Sequence, residues 1–151
     1  MNDVNVNQPL PSEGPSIAKL PAAGAIVALA GLADSVYLSV HHLTAEPVPC
    51  SLVSGCETVL TSSYAAIAGI PLAAFGAIAY FVAFALALLA AFGNRMTWTL
   101  FGIQVVLMSL FTIWLLYLQA FVIGAFCQFC LISAVTTFTM LGLFIASRFT
   151  R

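Results

Sequence analysis

Charge is what this sequence has least of. Of 151 residues, four are Lys or Arg and five are Asp or Glu, 6% in all. A soluble domain carries about a quarter charged residues, so this chain cannot cover itself with a solvated surface. At 62% hydrophobic residues it reads as an integral membrane protein. Basic clusters are missing as well, and the formal net charge is -1. That argues against nucleic acid as a partner. No internal repeat and no low-complexity segment is present. Cysteine is scarce but even in number, with four residues. In a reducing compartment four cysteines suggest metal binding or transient redox chemistry, and on an oxidising face they suggest disulfides. Topology has to choose.

Hydropathy supplies the topology. A spanning helix needs about 20 apolar residues, and four stretches qualify, at about 20–42, 70–92, 98–118 and 127–147. The fold class expected is all-α: a four-transmembrane-helix bundle over residues 19–148. Residues 1–18 are polar, contain Pro9, Pro11 and Pro15, and read as a disordered cytoplasmic tail. Residues 43–66 form the longest connection, an extracytoplasmic loop in which Pro47 and Pro49 stop helix before Cys50. The stretch from Cys56 to Tyr64 reads as a short interfacial helix or turn. Gly69-Ile70-Pro71 opens the second span, with proline in the first turn where its missing N–H is not needed. Within that span Ala79, Ala83, Ala87 and Ala91 form a small-residue stripe suited to close helix packing. Gly93-Asn94-Arg95 is a tight turn. Trp98, Trp114 and Tyr117 mark the ends of the third span as interfacial aromatics. Residues 119–126 form a short link with Gly124 at its bend.

Four spans put Lys19, Arg95, Arg148 and Arg151 on one side, which the positive-inside rule makes cytoplasmic. The loops 43–66 and 119–126 hold no Lys or Arg, and all four cysteines lie in or beside them. Both termini are then cytoplasmic in a multi-pass protein of the cell membrane. The cysteines face the outside, where disulfides persist.

Cys127-Gln128-Phe129-Cys130 stands at the mouth of the last span. Positions i and i+3 share a helix face, and a helix N-terminus favours a thiolate, the species that attacks disulfides. Two small apolar residues packed in a membrane helix is the plainer reading of these two alone. Cys50 and Cys56 shift the balance towards redox chemistry.

Together these residues resemble the vitamin K epoxide reductase family, in its bacterial or archaeal form. The resemblance covers roughly residues 20–147. It rests on Cys50 and Cys56 in the first outer loop, Ser62 six residues later, Gly69-Ile70-Pro71 with Phe75-Gly76, and the final C-x-x-C. It implies a helix bundle around a quinone of the ubiquinone, menaquinone or vitamin K type. It also implies electron flow from a thioredoxin-like partner through Cys50/Cys56 to Cys127/Cys130 and on to that quinone, in support of disulfide formation. Cys56 would exchange with Cys127, and Cys130 would face the quinone. Val59, Leu60, Ser62, Tyr64, Leu72, Phe75 and Ala134 would line its pocket, and Ser62 would donate a hydrogen bond to a quinone oxygen or a nearby thiolate. Vertebrate members place an asparagine and a tyrosine against the ring where Leu72 and Ala134 stand here. Plain quinone reduction is therefore the expectation, with vitamin K epoxide reduction the alternative. The redox partner is expected to be a separate, DsbA-like thioredoxin-fold protein, since many bacterial members carry such a domain fused and this chain ends at Arg151.

Two readings compete with the enzyme. Four thiolates could hold zinc or Cu(I), although Cys50 and Cys56 are spaced more widely than zinc ligands usually are. A purely structural subunit would not gather its cysteines on one side. No metal is expected. Asp34 lies inside the first span, where a carboxyl is unfavourable and functional by default. It either packs against a neighbour such as Tyr37 or Gln104 or relays protons. His41 and His42 read as interfacial polar residues rather than ligands.

Overall fold

The computed structural model describes residues 18–150, so the expected tail lies, apart from Ala18, outside the described residues. Five α-helices and one small hairpin follow in order: α1 (Lys19–Thr44), α2 (Cys56–Leu60), β1 (Ala66–Ile67), β2 (Ile70–Pro71), α3 (Leu72–Ala91), α4 (Arg95–Tyr117) and α5 (Gln128–Phe149). The last turn of α4 widens into a π-helical segment, Leu118–Ile123. Four of these helices are long and apolar enough to cross a membrane. At about 1.5 Å per residue, the 20 residues of α3 match a hydrocarbon core of roughly 30 Å. The 26 residues of α1 project a turn or two beyond it.

Local chemistry explains where the helices start and stop. Asn94 caps α4: its Oδ1 accepts the backbone N–H of Met96 at 3.1 Å and of Thr97 at 3.4 Å. Ala45 ends α1 in a left-handed conformation, its N–H returning to the His41 carbonyl. Pro71 precedes α3 as its cap, with extended φ and ψ of -60° and 136°, so the proline stands one position before the first turn expected for it. The all-α expectation also missed the hairpin. Ala66 pairs with Pro71 and Ile67 with Ile70, across a two-residue turn in which Ala68 and Gly69 both have positive φ. That is the turn whose twist suits paired strands. It holds the connection against the top of α3 through the Leu72 N–H bond to the Ala65 carbonyl, 2.8 Å.

The bundle is closed by small residues and by one tyrosine. Ala83 and Ala87 are fully buried and Ala91 nearly so. Ala83 and Ala87 belong, with Ala25 and Ala28 of α1, to one core cluster that includes Phe101, Val105 and Met140. Ala79, the first member of the stripe, is only half-buried, and it lines a cavity instead. Tyr80 crosses from α3 to α5, where its hydroxyl lies 2.8 Å from the Ser133, Thr136 and Thr137 hydroxyls. In lipid such a bonded network replaces solvent for polar groups.

Trp98 corrects the interfacial reading. It is 5% exposed, stacks on Phe101 and donates its indole N–H to Ser147 at 2.9 Å. Trp114 and Tyr117, by contrast, are exposed. The Ala18 N–H reaches the Ala91 carbonyl, and Lys19, Arg95 and Ser147 border one recess. The described basic residues thus gather at one end of the bundle, and the four cysteines at the other.

Candidate active site

Cys127 is the residue before α5, extended at φ -103° and ψ 124°. Its position is fixed from behind. The π-helical segment carries Gln119, 3% exposed, and Gly124 with φ 71° turns the chain back. Gln119 Oε1 then accepts the Cys127 backbone N–H at 3.2 Å. What reads in the sequence as a plain link is therefore a wide helical turn that supports the thiol. Cys130 is the third residue of α5. A cap side chain and the third helical side chain approach each other at any helix start, so the C-x-x-C spacing brings both sulfurs together. The Cys130 thiol hydrogen-bonds Cys127 and lowers it to about 7, against its burial, which pulls the other way.

The loop pair lies against this pair. Cys50 and Cys56 are joined as a disulfide with Cα atoms 6.2 Å apart, while Cys127 and Cys130 are free thiols. Cys56 and Cys127, both almost wholly buried, form one apolar cluster with Val59, and Cys50 and Cys130 pack against it. Two features hold the loop down. Gln128, inside the C-x-x-C motif, accepts the backbone N–H groups of Ser51 at 3.2 Å and Leu52 at 2.9 Å. Gly55 presses on the chain just before Cys127: an added Cβ would stand 2.9 Å from Phe126 N.

Cys130, and not Cys127, borders a largely apolar, partly open cavity of about 380 Å³ lined by all five α-helices, the loop after α2 and the π-helical segment. That volume suits a small organic ligand. Val59, Leu60, Ser62, Tyr64, Leu72 and Phe75 all line it. Ala134 does not; it is buried at 5% exposure, and the rotation of α5 presents Ser133 and Thr137 to the cavity instead. Ser62 is on the wall, but its hydroxyl donates to the Val59 carbonyl at 2.7 Å, so its proton is in use. Asp34 is also on the wall. Neither Tyr37 nor Gln104 bonds to it; its Oδ2 is a buried atom without a hydrogen-bond partner among the described residues. His41 packs against Tyr37 with ring centres 4.4 Å apart and planes tilted by 53°, and His42 lines the cavity.

Gln119 and Gln128 escaped the sequence reading. Their signal was present, as uncharged polar side chains in apolar surroundings beside the C-x-x-C. The N–H groups they serve come from distant or folded-back backbone, which no local pattern displays.

Comparison with known proteins bears on this site. The Vitamin K epoxide reductase family matches the chain over residues 22–145, a span that contains all four cysteines and the cavity. Thiol-disulfide oxidoreductase LTO1 of Arabidopsis thaliana is 31% identical over 116 residues, which cover 71% of this chain. The chain spans 31% of that protein's length. Two cysteine pairs in contact at one end of a four-helix membrane bundle, and a sequence match over most of its length, place this chain in the vitamin K epoxide reductase family.

Proposed function

We propose that this protein is a quinone-dependent disulfide oxidoreductase of the cell membrane. It takes electrons from a dithiol protein with a thioredoxin fold, passes them through Cys50/Cys56 to Cys127/Cys130, and delivers them to a quinone in the cavity. One observation carries the reading: Cys56 and Cys127 share a buried cluster while Cys130, bonded to Cys127, borders the cavity. The relay needs that arrangement, because each exchange requires sulfurs in contact and the last donor must meet the acceptor.

Each residue has a role in the relay. The partner's thiolate opens the Cys50–Cys56 disulfide at Cys50, the more exposed of the two, and the loop pair becomes a dithiol. In the working direction the Cys127/Cys130 disulfide accepts those electrons through a mixed disulfide between Cys56 and Cys127. Cys127 and Cys130, reduced again, then supply two electrons to the acceptor. Gln119 and Gln128 hold the two pairs in register. The hydrophobic walls Val59, Leu60, Leu72 and Phe75 seat the ring of the acceptor. Both termini lie in the cytoplasm in this reading, and the cysteines lie outside the membrane's inner face, as the placement of basic residues at the opposite end favours. The Arabidopsis relative is named a thiol-disulfide oxidoreductase, in keeping with the first half of the relay.

The test uses purified protein in detergent, a reduced thioredoxin-fold protein and a short-chain ubiquinone or menaquinone, with quinone absorbance followed in time. Cys130→Ala abolishes quinone reduction by every donor. Cys50→Ala abolishes it with the protein donor and spares it with a small dithiol. Wild-type protein that reduces no quinone from either donor ends the proposal.

A further inference from the structure

Several polar groups of the cavity wall are already engaged. Ser62 spends its proton on the Val59 carbonyl. Tyr80 is tied to Ser133, Thr136 and Thr137. Gln119 Oε1 is taken by the Cys127 N–H. Two buried side-chain atoms have no partner among the described residues, Asp34 Oδ2 and His41 Nδ1. His41 is not on the cavity wall; Asp34 is, as is Cys130. Leaving a carboxyl oxygen buried and unpaired is costly, and membrane spans keep such groups where they serve a ligand or a proton path.

We propose that Asp34 is the catalytic acid of this site, hydrogen-bonding and protonating a carbonyl oxygen of the quinone. This rests on the proposed quinone reaction. Oxidation of Cys127 and Cys130 breaks two S–H bonds, forms one S–S bond and releases two electrons and two protons. The acceptor's two carbonyls become hydroxyls, so electrons and protons balance. Asp34 gives its carboxyl proton to the oxygen on the α1 side. It recovers a proton from the Cys130 thiol on the same cavity wall and is unchanged over the cycle, while the Cys127 proton goes to solvent. The second oxygen is protonated from solvent at the loop side, where Tyr64 is exposed.

The experiment compares wild type, Asp34→Asn and Asp34→Glu in detergent, with a short-chain menaquinone as probe. Asn keeps a hydrogen-bond donor but has no proton to give. The expected result is a kcat about 100-fold lower for Asp34→Asn, with KM within a few-fold and partial recovery in Asp34→Glu. A second readout needs no turnover. In difference infrared spectra, adding menaquinone to oxidised wild type shifts a carboxylic-acid carbonyl band, and Asp34→Asn lacks that band. The proposal is overturned if Asp34→Asn keeps the wild-type kcat, or if menaquinone binds without moving the band. It is equally overturned if both variants lose only thermal stability while kcat holds. Wild type that neither binds nor reduces menaquinone removes the quinone reading itself. That outcome is distinct from an active Asp34→Asn, which removes the role of Asp34 alone.

Discussion

Cys127 shows how a single position can acquire reactivity from its neighbours. It sits outside the spanning helix, beside the Cys130 thiol that lowers it to about 7. Below that pH the group is a thiol and exchanges slowly; above it the thiolate predominates and exchange is fast. Ultraviolet thiolate absorbance of reduced protein with Cys50 and Cys56 replaced by Ala should therefore rise through about pH 7. Replacing Cys130 with Ala removes the hydrogen bond that comes first among the causes, and the transition should move towards the range of an ordinary cysteine. A transition that stays in place in that variant would mean the neighbour does not set it. Gln128 offers a second test. Gln128→Ala removes two hydrogen bonds to the loop, each worth roughly 1 kcal/mol. The loop pair should then be reduced several-fold faster by a small dithiol, while transfer from Cys56 to Cys127 slows. Stopped-flow measurement of the two steps would separate them.

Elements carry the next level of the argument. The contact of α1 and α3 relies on small residues, with Gly31 leaving room for the Tyr80 ring and Ala28, Ala83 and Ala87 fully buried. Ala83→Leu has no room at a fully buried site, and overpacking of that kind costs about 1–3 kcal/mol. A fall in the thermal midpoint in detergent, with the loop disulfide still formed, is the expected outcome. At the loop, Gly55→Ala should leave the bundle's melting unchanged, since the atoms nearest that position belong to Ala125 and Phe126 in the link before α5. It should nevertheless prevent the loop from seating against Phe126. A trapped Cys56–Cys127 mixed disulfide, made with Cys50 and Cys130 replaced by Ala, should form poorly in that variant and readily without it. Equal yields would show that the contact does not matter for exchange.

The molecule as a whole is polarised. Its described cations sit at one end, its cysteines at the other, and between them the helix surfaces are apolar and exposed. Those surfaces include Leu89, Leu107 and Val135, and they suit lipid rather than water. The cavity lies near the cysteine end, where the proposed relay would bring thiol chemistry to a lipid-soluble acceptor. Intact cells treated with a reductant and a membrane-impermeant maleimide should label Cys50. A cysteine placed at Thr99, near the basic end, should label only after the membrane is opened. The reverse pattern would invert the topology.

Four spans, their order, the gathering of the four cysteines at one end and the closeness of the C-x-x-C thiols were determined by the sequence alone. Each depends on composition or on short-range spacing, and both survive without knowledge of neighbours. The hairpin at Ala68-Gly69 and the π-helical end of α4 were not legible, because a chain of strong helix formers gives no local sign of where packing widens a turn. Nor could spacing tell that Trp98 turns inward to Ser147, or that Ala134 gives its expected place to Ser133 and Thr137. Helix rotation decides these, and rotation is set by the fit of α5 against its neighbours. Asp34 was conspicuous in the sequence as a carboxyl in a membrane span. Only the tertiary structure could decide that Tyr37 and Gln104 do not satisfy it, and that its free oxygen shares a cavity with Cys130. A hydrogen bond between helices is a matter of three-dimensional distance, and sequence separation carries no record of it.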